Sequence, residues 1–173
     1  LRSLFFFFNH EILGDSTVSW IGPCNIPFVH MVDGEDLNAK AEIRGDEMLH
    51  FVVEKFNTTL IGMVALQRLF TSMCIDLLRE VSLDRELASR LKRKGDDIYV
   101  QEKKLSISVA TQSPVSSLMH FALNITNRGT PVKTLSLQDL KVDPREFATL
   151  LMGQFCEEVE DIERATQKVH WVK

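Results

Sequence analysis

Five polar residues near the middle of the chain have the types and spacing to form a small-molecule site. They are Lys104, Ser106, Ser108, His120 and Asn124. An ammonium group stabilises negative charge on a carbonyl or phosphate oxygen, hydroxyl groups orient it, and an imidazole holds or moves a proton. We therefore interpret Lys104 and His120 as candidate catalytic residues, and the serines and Asn124 as candidate substrate-binding residues. The alternatives are an edge lysine without a ligand, a histidine hydrogen-bonded in the core, and an asparagine that holds the backbone.

The segments that carry these side chains alternate between hydrophobic and polar residues. This period of two predicts strands over 104–110 and 118–125, and a further strand is predicted over 97–101. If the two longer strands lie in one sheet, all five polar side chains share one of its faces. The opposite face, packed beneath helices, is then formed by Leu105, Ile107, Val109, Phe121 and Leu123.

The rest of the sequence supplies helices to cover such a sheet. Hydrophobic spacing predicts helices over 2–10, 46–56, 60–81, 82–94 and 144–167, with a strand as the alternative for the first segment. The residues predicted to cap or start the last four are Asp46, Thr58 or Thr59, Ser82 and Asp143. Short strands are predicted over 16–21 and 168–172. At 173 residues the chain fits a single domain, residues 1–173. We predict an α+β fold with one mixed, largely antiparallel sheet covered by helices.

Four residues have the types that bind a divalent metal ion, namely His30, Asp33, His50 and Glu54. In the predicted helix over 46–56, the last two lie one turn apart on the same face. A metal-dependent hydrolase is therefore an alternative hypothesis. No complete ligand signature is present, so a solvated acidic surface is favoured.

Three widely spaced cysteines, Cys24, Cys74 and Cys156, indicate neither a disulfide framework nor a zinc ribbon. Cys24 follows Gly22-Pro23 in a predicted turn, where a thiol next to a base would be a nucleophile. Small buried apolar side chains are expected for the other two. This cysteine usage favours a reducing cytoplasm.

The net charge of −4 provides no basic field for nucleic acid or an anionic membrane. The longest apolar run that we identify, around Leu4 to Phe8, is much shorter than the roughly 20 residues that span a bilayer. We therefore expect a small-molecule ligand as the partner, without nucleic acid or membrane, and we leave a homodimer open.

The segments KLSISVAT and HFALNI resemble two strand motifs of the biotin and lipoate protein ligases and the related octanoyltransferases. The stretch Gly95–Val100 is similar to the strand that precedes them in lipoate ligases. The resemblance implies a ligase catalytic-domain-like fold, with Lys104 contacting an acyl carbonyl or acyl adenylate. Ile107 and Phe121 stand where those enzymes carry glycine. ATP is a candidate cofactor, although no glycine-rich phosphate-binding loop is found.

Over most of its length the chain resembles a prokaryotic, mainly archaeal, family known as domain of unknown function 366. The similarity rests on four segments, GPCNIPFVHMVDGEDL, MLHFVVEKF, QRL and GDDIYVQEKKLSISVATQSPVSSLMHFALNI. This family implies a ligase-like fold and no established activity. Our hypothesis is small-molecule acyl or nucleotidyl transfer centred on Lys104. The alternative is a non-catalytic binding module whose pocket is narrowed by Ile107 and Phe121.

Overall fold

A computed structural model describes residues 1–27, 34, 38 and 43–170. Within these residues the helices are Phe5–His10 (α1), Leu60–Val81 (α2), Arg85–Ser89 (α3) and Pro144–Gln167 (α4). The strands are Ser16–Ile26 (β1), Ile43–Phe56 (β2), Lys92–Lys94 (β3), Asp97–Val100 (β4), Lys103–Lys104 (β5), Ser106–Gln112 (β6) and Ser116–Asn124 (β7). These elements confirm the α+β class.

The strands separate into two sheets, where the sequence predicted one. The larger sheet has the order β1-β2-β7-β6 and the smaller has the order β3-β4-β5. All of these strand pairs are antiparallel. Leu105 separates β5 from β6, so the predicted strand over 104–110 contributes to both sheets.

The helix predicted over 46–56 is wrong, because this segment lies inside the fourteen-residue strand β2. Residues 48–54 are all buried. A strand that is buried on both faces has a nearly continuous apolar sequence, and such a sequence also fits the spacing of a buried helix. Asp46 was predicted to cap that helix, and instead its backbone N–H donates to the carbonyl of Arg128 at 3.1 Å. The strand places Leu49, Phe51 and Val53 in the main core.

Helix α2 packs on this core face of the larger sheet. The hydroxyl of Thr59 accepts a hydrogen bond from the N–H of Gly62 at 3.2 Å, so Thr59 is the cap of the two predicted candidates, Thr58 and Thr59. By length and composition α2 is apolar enough to cross a membrane. Its side chains Phe70, Cys74 and Leu78 are completely buried within the protein, which is the arrangement of a core helix.

The helix predicted over 82–94 is largely replaced by other structure. Asp84, rather than Ser82, accepts from the N–H of Leu87 and caps the short helix α3. Lys92–Lys94 then form the exposed strand β3, which pairs with β4. Gly95 has a φ of 66° in the intervening turn, a conformation that glycine adopts without strain.

Asp143 caps α4 as predicted, accepting from the N–H groups of Arg145 and Glu146, with Pro144 at the first helical position. This helix packs on α2 through Phe155, whose ring lies 5.0 Å from that of Phe70. The strand predicted over 168–172 is not formed at 168–170, and its remaining residues lie outside the described part of the chain.

Candidate functional site

The strand register separates the five polar side chains that were predicted to share one face. Strands β6 and β7 pair Ser106 with Leu123 and Ser108 with Phe121, while His120 is paired with Val109. Paired residues project from the same face of a sheet, so the serines lie on the helix-covered face and His120 lies on the opposite one. The prediction of a shared face is therefore wrong. Each strand alternates as expected, but the phase between the two strands differs by one residue. Phe121 and Leu123 lie beneath the helices as predicted, whereas Ile107 and Val109 were predicted there and lie on the face of His120.

Lys104 forms the centre of a partly buried charged cluster. Its Nζ lies 2.7 Å from Oδ2 of Asp97, and the two side chains are 31% and 19% exposed. The other carboxylate oxygen of Asp97 accepts from the hydroxyl of Ser106 at 3.3 Å. The hydroxyl of Tyr99 interacts with both members of the ion pair. Lys104 is thus a positioned cation, held at one site by neighbours on β4 and β6.

The electrostatics of the cluster reflect burial and the ion pair. Burial raises the pKa of Asp97, and the positive charge of Lys104 acts in the opposite direction. Burial likewise raises the pKa of Tyr99, again opposed by Lys104. Asp97 was not among the site residues predicted from the sequence. The resemblance of Gly95–Val100 to a ligase strand was the signal that could have identified it.

Ser106 and Ser108 bind to protein groups on the helix-covered face. Ser106 accepts from the N–H of Ile98 at 2.9 Å. Ser108 accepts from Nε2 of Gln67 at 2.6 Å, and the same nitrogen donates to Asp96 at 3.0 Å. These bonds join α2 to β4 and β6, so the hydroxyl groups position elements of the cluster.

Asn124 supports the backbone next to the cluster. Its Nδ2 donates to the carbonyl oxygens of Lys104 and Leu135, both at 3.2 Å. A buried amide with two backbone acceptors is satisfied by the protein itself. Asn124 therefore fixes the strand from which the lysine side chain projects, which is the alternative role considered for it.

His120 lies in a separate group of rings with His50 and Trp20. Nε2 of His120 and Nδ1 of His50 are 3.0 Å apart, and Nε2 of His50 lies 3.2 Å from the carbonyl of Gly22. Trp20 and His50 are partners across β1 and β2, and their rings are nearly parallel at 4.8 Å. The sequence pattern around His50 predicted a helix, so the contact of its ring with those of Trp20 and His120 was not predicted.

Burial lowers the pKa of both imidazoles. The pKa of His120 falls to about 4, first through desolvation, then through repulsion from His50 when that ring is protonated, and then through the N-terminal ammonium. Burial also lowers the pKa of His50, and hydrogen bonds to the backbone partly offset this by raising it. A general base is most effective when its pKa lies near the working pH. His120 is therefore better suited to accept a hydrogen bond than to remove a proton at neutral pH.

The four candidate metal ligands do not form a site within the described residues. His30 and Asp33 lie outside them. His50 and Glu54 are four residues apart on a strand, which separates them by about 13 Å. Glu54 instead accepts from the N–H groups of Leu4 and Phe6 and from the hydroxyl of Ser116. In the part of the chain that the structure describes, no three metal-binding side chains converge.

The burial of the three cysteines differs in part from the prediction. Cys24 is buried, and desolvation raises its thiol pKa to about 11, which disfavours the nucleophilic thiolate. Cys74 is fully buried, as expected. Cys156 was also expected to be buried, and it is exposed on α4.

The two bulky residues that replace family glycines lie on opposite faces of the larger sheet. Phe121 is completely buried in the main core, so it does not narrow a pocket on the face of His120. Ile107 is half-buried on that face, against the small cluster of Cys24, Met48 and Ala122. The two residues therefore do not narrow one pocket together, and the predicted narrowing is wrong.

This fold places the chain in a structural class with solved members. A biotin protein ligase from Aquifex aeolicus gives a TM-score of 0.55 at 18% identity, over 68% of this chain and 55% of the ligase. A candidate lipoate protein ligase from T. acidophilum with bound lipoic acid gives 0.52 at 19% identity, over 69% of this chain and 55% of that protein. The biotin/lipoate ligase-like fold is thereby confirmed. The chain spans about half the length of each of these two proteins.

The chain belongs to the family Domain of unknown function (DUF366), whose model matches residues 1–170. A protein of unknown function from Pyrococcus horikoshi is 39% identical, with a TM-score of 0.90 over 99% of this chain and 90% of that chain. An uncharacterised protein of Methanocaldococcus jannaschii is 28% identical over 175 residues, which cover 97% of this chain and 76% of the relative. These relatives confirm the family resemblance found in the sequence.

Proposed function

We propose that this protein binds a small molecule through its carboxylate or acyl group and catalyses acyl or nucleotidyl transfer, with Lys104 contacting the reacting carbonyl or phosphate oxygen. The observation that carries the proposal is the ion pair of Lys104 with Asp97 in a partly buried cluster. A positioned ammonium stabilises the negative charge that develops on a carbonyl or phosphoryl oxygen during transfer. The carboxylate of Asp97 lies 2.7 Å from the ammonium and restricts the side chain of the lysine.

The structural neighbours support this chemical class of ligand. One structure of the Aquifex aeolicus biotin protein ligase contains biotin and ATP, and the T. acidophilum protein contains lipoic acid. Biotin and lipoic acid are both carboxylic acids with an apolar body. We therefore propose a carboxylic acid, or its activated acyl form, as the substrate class, with ATP as the candidate cofactor.

The experiment is a thermal-shift panel with biotin, lipoic acid, octanoate and ATP, singly and in acid-plus-ATP pairs. A ligand at a hundredfold over its dissociation constant adds about 2.7 kcal/mol to the stability of the folded state. We expect at least one carboxylic acid to raise the melting temperature of the wild type. Lys104→Met, which keeps length and removes charge, should abolish that shift. Lys103→Met is the matched control, because Lys103 is an exposed neighbour on the same strand.

A second candidate function is a binding module without catalysis on the same fold. The side chain of Ile107 favours it, because a bulky group stands where the ligases carry glycine, on the sheet face opposite Ser106 and Ser108. Glycine at such a position allows close approach of a ligand to the backbone, and a larger side chain prevents it. Release of pyrophosphate from ATP with any acid that binds would support the transferase. Saturable binding without pyrophosphate or acyl transfer would support the module.

A further inference from the structure

The face of the larger sheet opposite α2 carries a cluster of ring side chains that is separate from the Lys104 cluster. It consists of His50, His120 and Trp20, hereafter the imidazole site. The three residues come from neighbouring strands β2, β7 and β1. Their positions follow from the register, since Trp20 pairs with His50, and His120 pairs with Val52 two residues further along β2.

The two imidazoles meet edge to edge. Their centroids are 5.2 Å apart and their planes differ by 12°, while the facing nitrogen atoms are only 3.0 Å apart. Such a short contact at that centroid separation requires the rings to lie side by side in nearly one plane. The indole of Trp20 is parallel to both, at 4.8 Å from His50 and 6.2 Å from His120, which is the range of offset stacking.

The hydrogen-bond partners determine which nitrogen atoms carry protons. The carbonyl of Gly22 only accepts, so Nε2 of His50 must donate to it. His50 is neutral because burial lowers its pKa, and its Nδ1 is therefore an acceptor. Nε2 of His120 must then donate to that atom. Since His120 is also neutral, its Nδ1 is left with a lone pair.

This lone pair is an acceptor without a protein donor in the described part of the chain, where His120 has one hydrogen bond, through Nε2. Its neighbours on the flanking strands are the apolar residues Val52 and Val109, and the charge of the N-terminal ammonium also acts on the ring. A ligand that donates to this atom would form a hydrogen bond that the described residues do not supply. The ring of Trp20, which is 41% exposed, adds an aromatic surface next to it.

We propose that the imidazole site binds a planar, neutral N–H donor of the heteroaromatic amine class. The N–H would donate to Nδ1 of His120, and the ring would lie beside the three parallel rings. Aliphatic amines are cationic at neutral pH and lose hydration in an apolar site, whereas heteroaromatic amines donate without charge. Molecules that only accept hydrogen bonds meet another acceptor and are excluded.

A pair of matched probes tests this selectivity. 4-Aminopyrimidine carries the N–H donor, and 4-(dimethylamino)pyrimidine has the same ring with both amino hydrogens replaced. Ligand-observed NMR titrations at about pH 8 keep the histidines neutral. The loss of one hydrogen bond should weaken the dimethylated probe about tenfold. Nitrogen-15 spectra of the histidine rings should show both Nε2 atoms protonated before addition, and a shift of the His120 Nδ1 resonance with the amino probe alone.

His120→Phe keeps an aromatic ring and removes the acceptor, so it should bind the two probes equally. His10→Phe changes an exposed histidine and should retain the preference for the amino probe. Lys104→Met should also retain it, which separates this site from the proposed transfer site. Equal affinity of both probes for the wild type, no binding of 4-aminopyrimidine, or a protonated Nδ1 on His120 would overturn the proposal. The last of these is read from the wild-type protein alone.

Discussion

The imidazoles of His50 and His120 form a hydrogen bond of 3.0 Å between Nδ1 and Nε2 across strands β2 and β7. The second nitrogen of His50 is fixed by the carbonyl of Gly22. A second proton on His50 would leave two N–H donors facing each other, and a second proton on His120 would place a positive charge on a ring whose burial disfavours it. The stability of the protein should therefore depend on pH in a defined window.

We predict that the free energy of unfolding decreases as the pH falls from about 6.5 toward 4. The pKa of His120 is lowered from 6.5 to about 4 in the folded protein, so the unfolded chain binds more protons in this window. The contribution of His120 reaches about 3 kcal/mol at the acid end. Urea unfolding at a series of pH values measures it. His120→Phe should flatten this part of the curve relative to His10→Phe, and equal slopes would refute the assignment.

A buried carboxylate is predicted to hold the N-terminal helix against the sheet. Glu54 is 1% exposed and accepts from the N–H of Leu4 at 2.8 Å and from the hydroxyl of Ser116 at 2.6 Å. Glu54→Ala leaves these donors without an acceptor and should cost about 2–4 kcal/mol. Hydrogen exchange should show that α1 loses protection before the sheet. Glu157→Ala, at an exposed position of α4, is the control, and equal protection of α1 in both variants would contradict the prediction.

The opposite placement of Phe121 and Ile107 predicts two different mutational results. Phe121→Ala should lower stability by about 3–5 kcal/mol, because it creates a cavity in the main core. Ile107→Ala should cost less, since the side chain is only half-buried, and it should widen the face near Met48. Denaturant unfolding and ligand titration measure the two effects. Tighter ligand binding by Phe121→Ala, with unchanged stability, would show that Phe121 lines the pocket after all.

The ion pair of Lys104 and Asp97 is predicted to matter more for binding than for folding. Because both side chains are partly exposed, Asp97→Asn should change stability by less than about 1 kcal/mol. The variant keeps the shape of the side chain and its contact with Ser106, and it removes the charge that positions the ammonium. Affinity for the carboxylic acid found in the thermal-shift panel should therefore decrease. A large loss of stability with unchanged affinity would give the pair a structural role only.

Local signals in the sequence predicted a large part of the fold. Thr59 and Asp143 cap α2 and α4 because the hydroxyl and carboxylate acceptors stand at the required distance before the apolar stripes. The period-two alternation predicted for β6 and β7 is also present, although β6 turns its serines, rather than Ile107 and Val109, toward the helices. These features depend on residues close together in the chain, so their physical cause is present in a short window of sequence.

Pairing between strands could not be predicted in the same way. The phase of Ser108 relative to His120 depends on which residue of β6 lies opposite each residue of β7, and either phase satisfies both alternations. The imidazole site combines residues of three strands, Trp20, His50 and His120, so predicting it requires the register of both strand pairs. The buried strand β2 also satisfied a helical pattern, so His50 was assigned to the wrong element.

The most direct test of the proposed function is a calorimetric titration of the wild type, Lys104→Met and Lys103→Met with biotin, lipoic acid and octanoate. The ammonium of Lys104 is the group that meets the carboxylate, so its removal leaves that charge without a partner. We predict that at least one acid binds the wild type and Lys103→Met equally well, and binds Lys104→Met at least about tenfold more weakly. Equal affinity of that acid for all three proteins would contradict a site centred on Lys104.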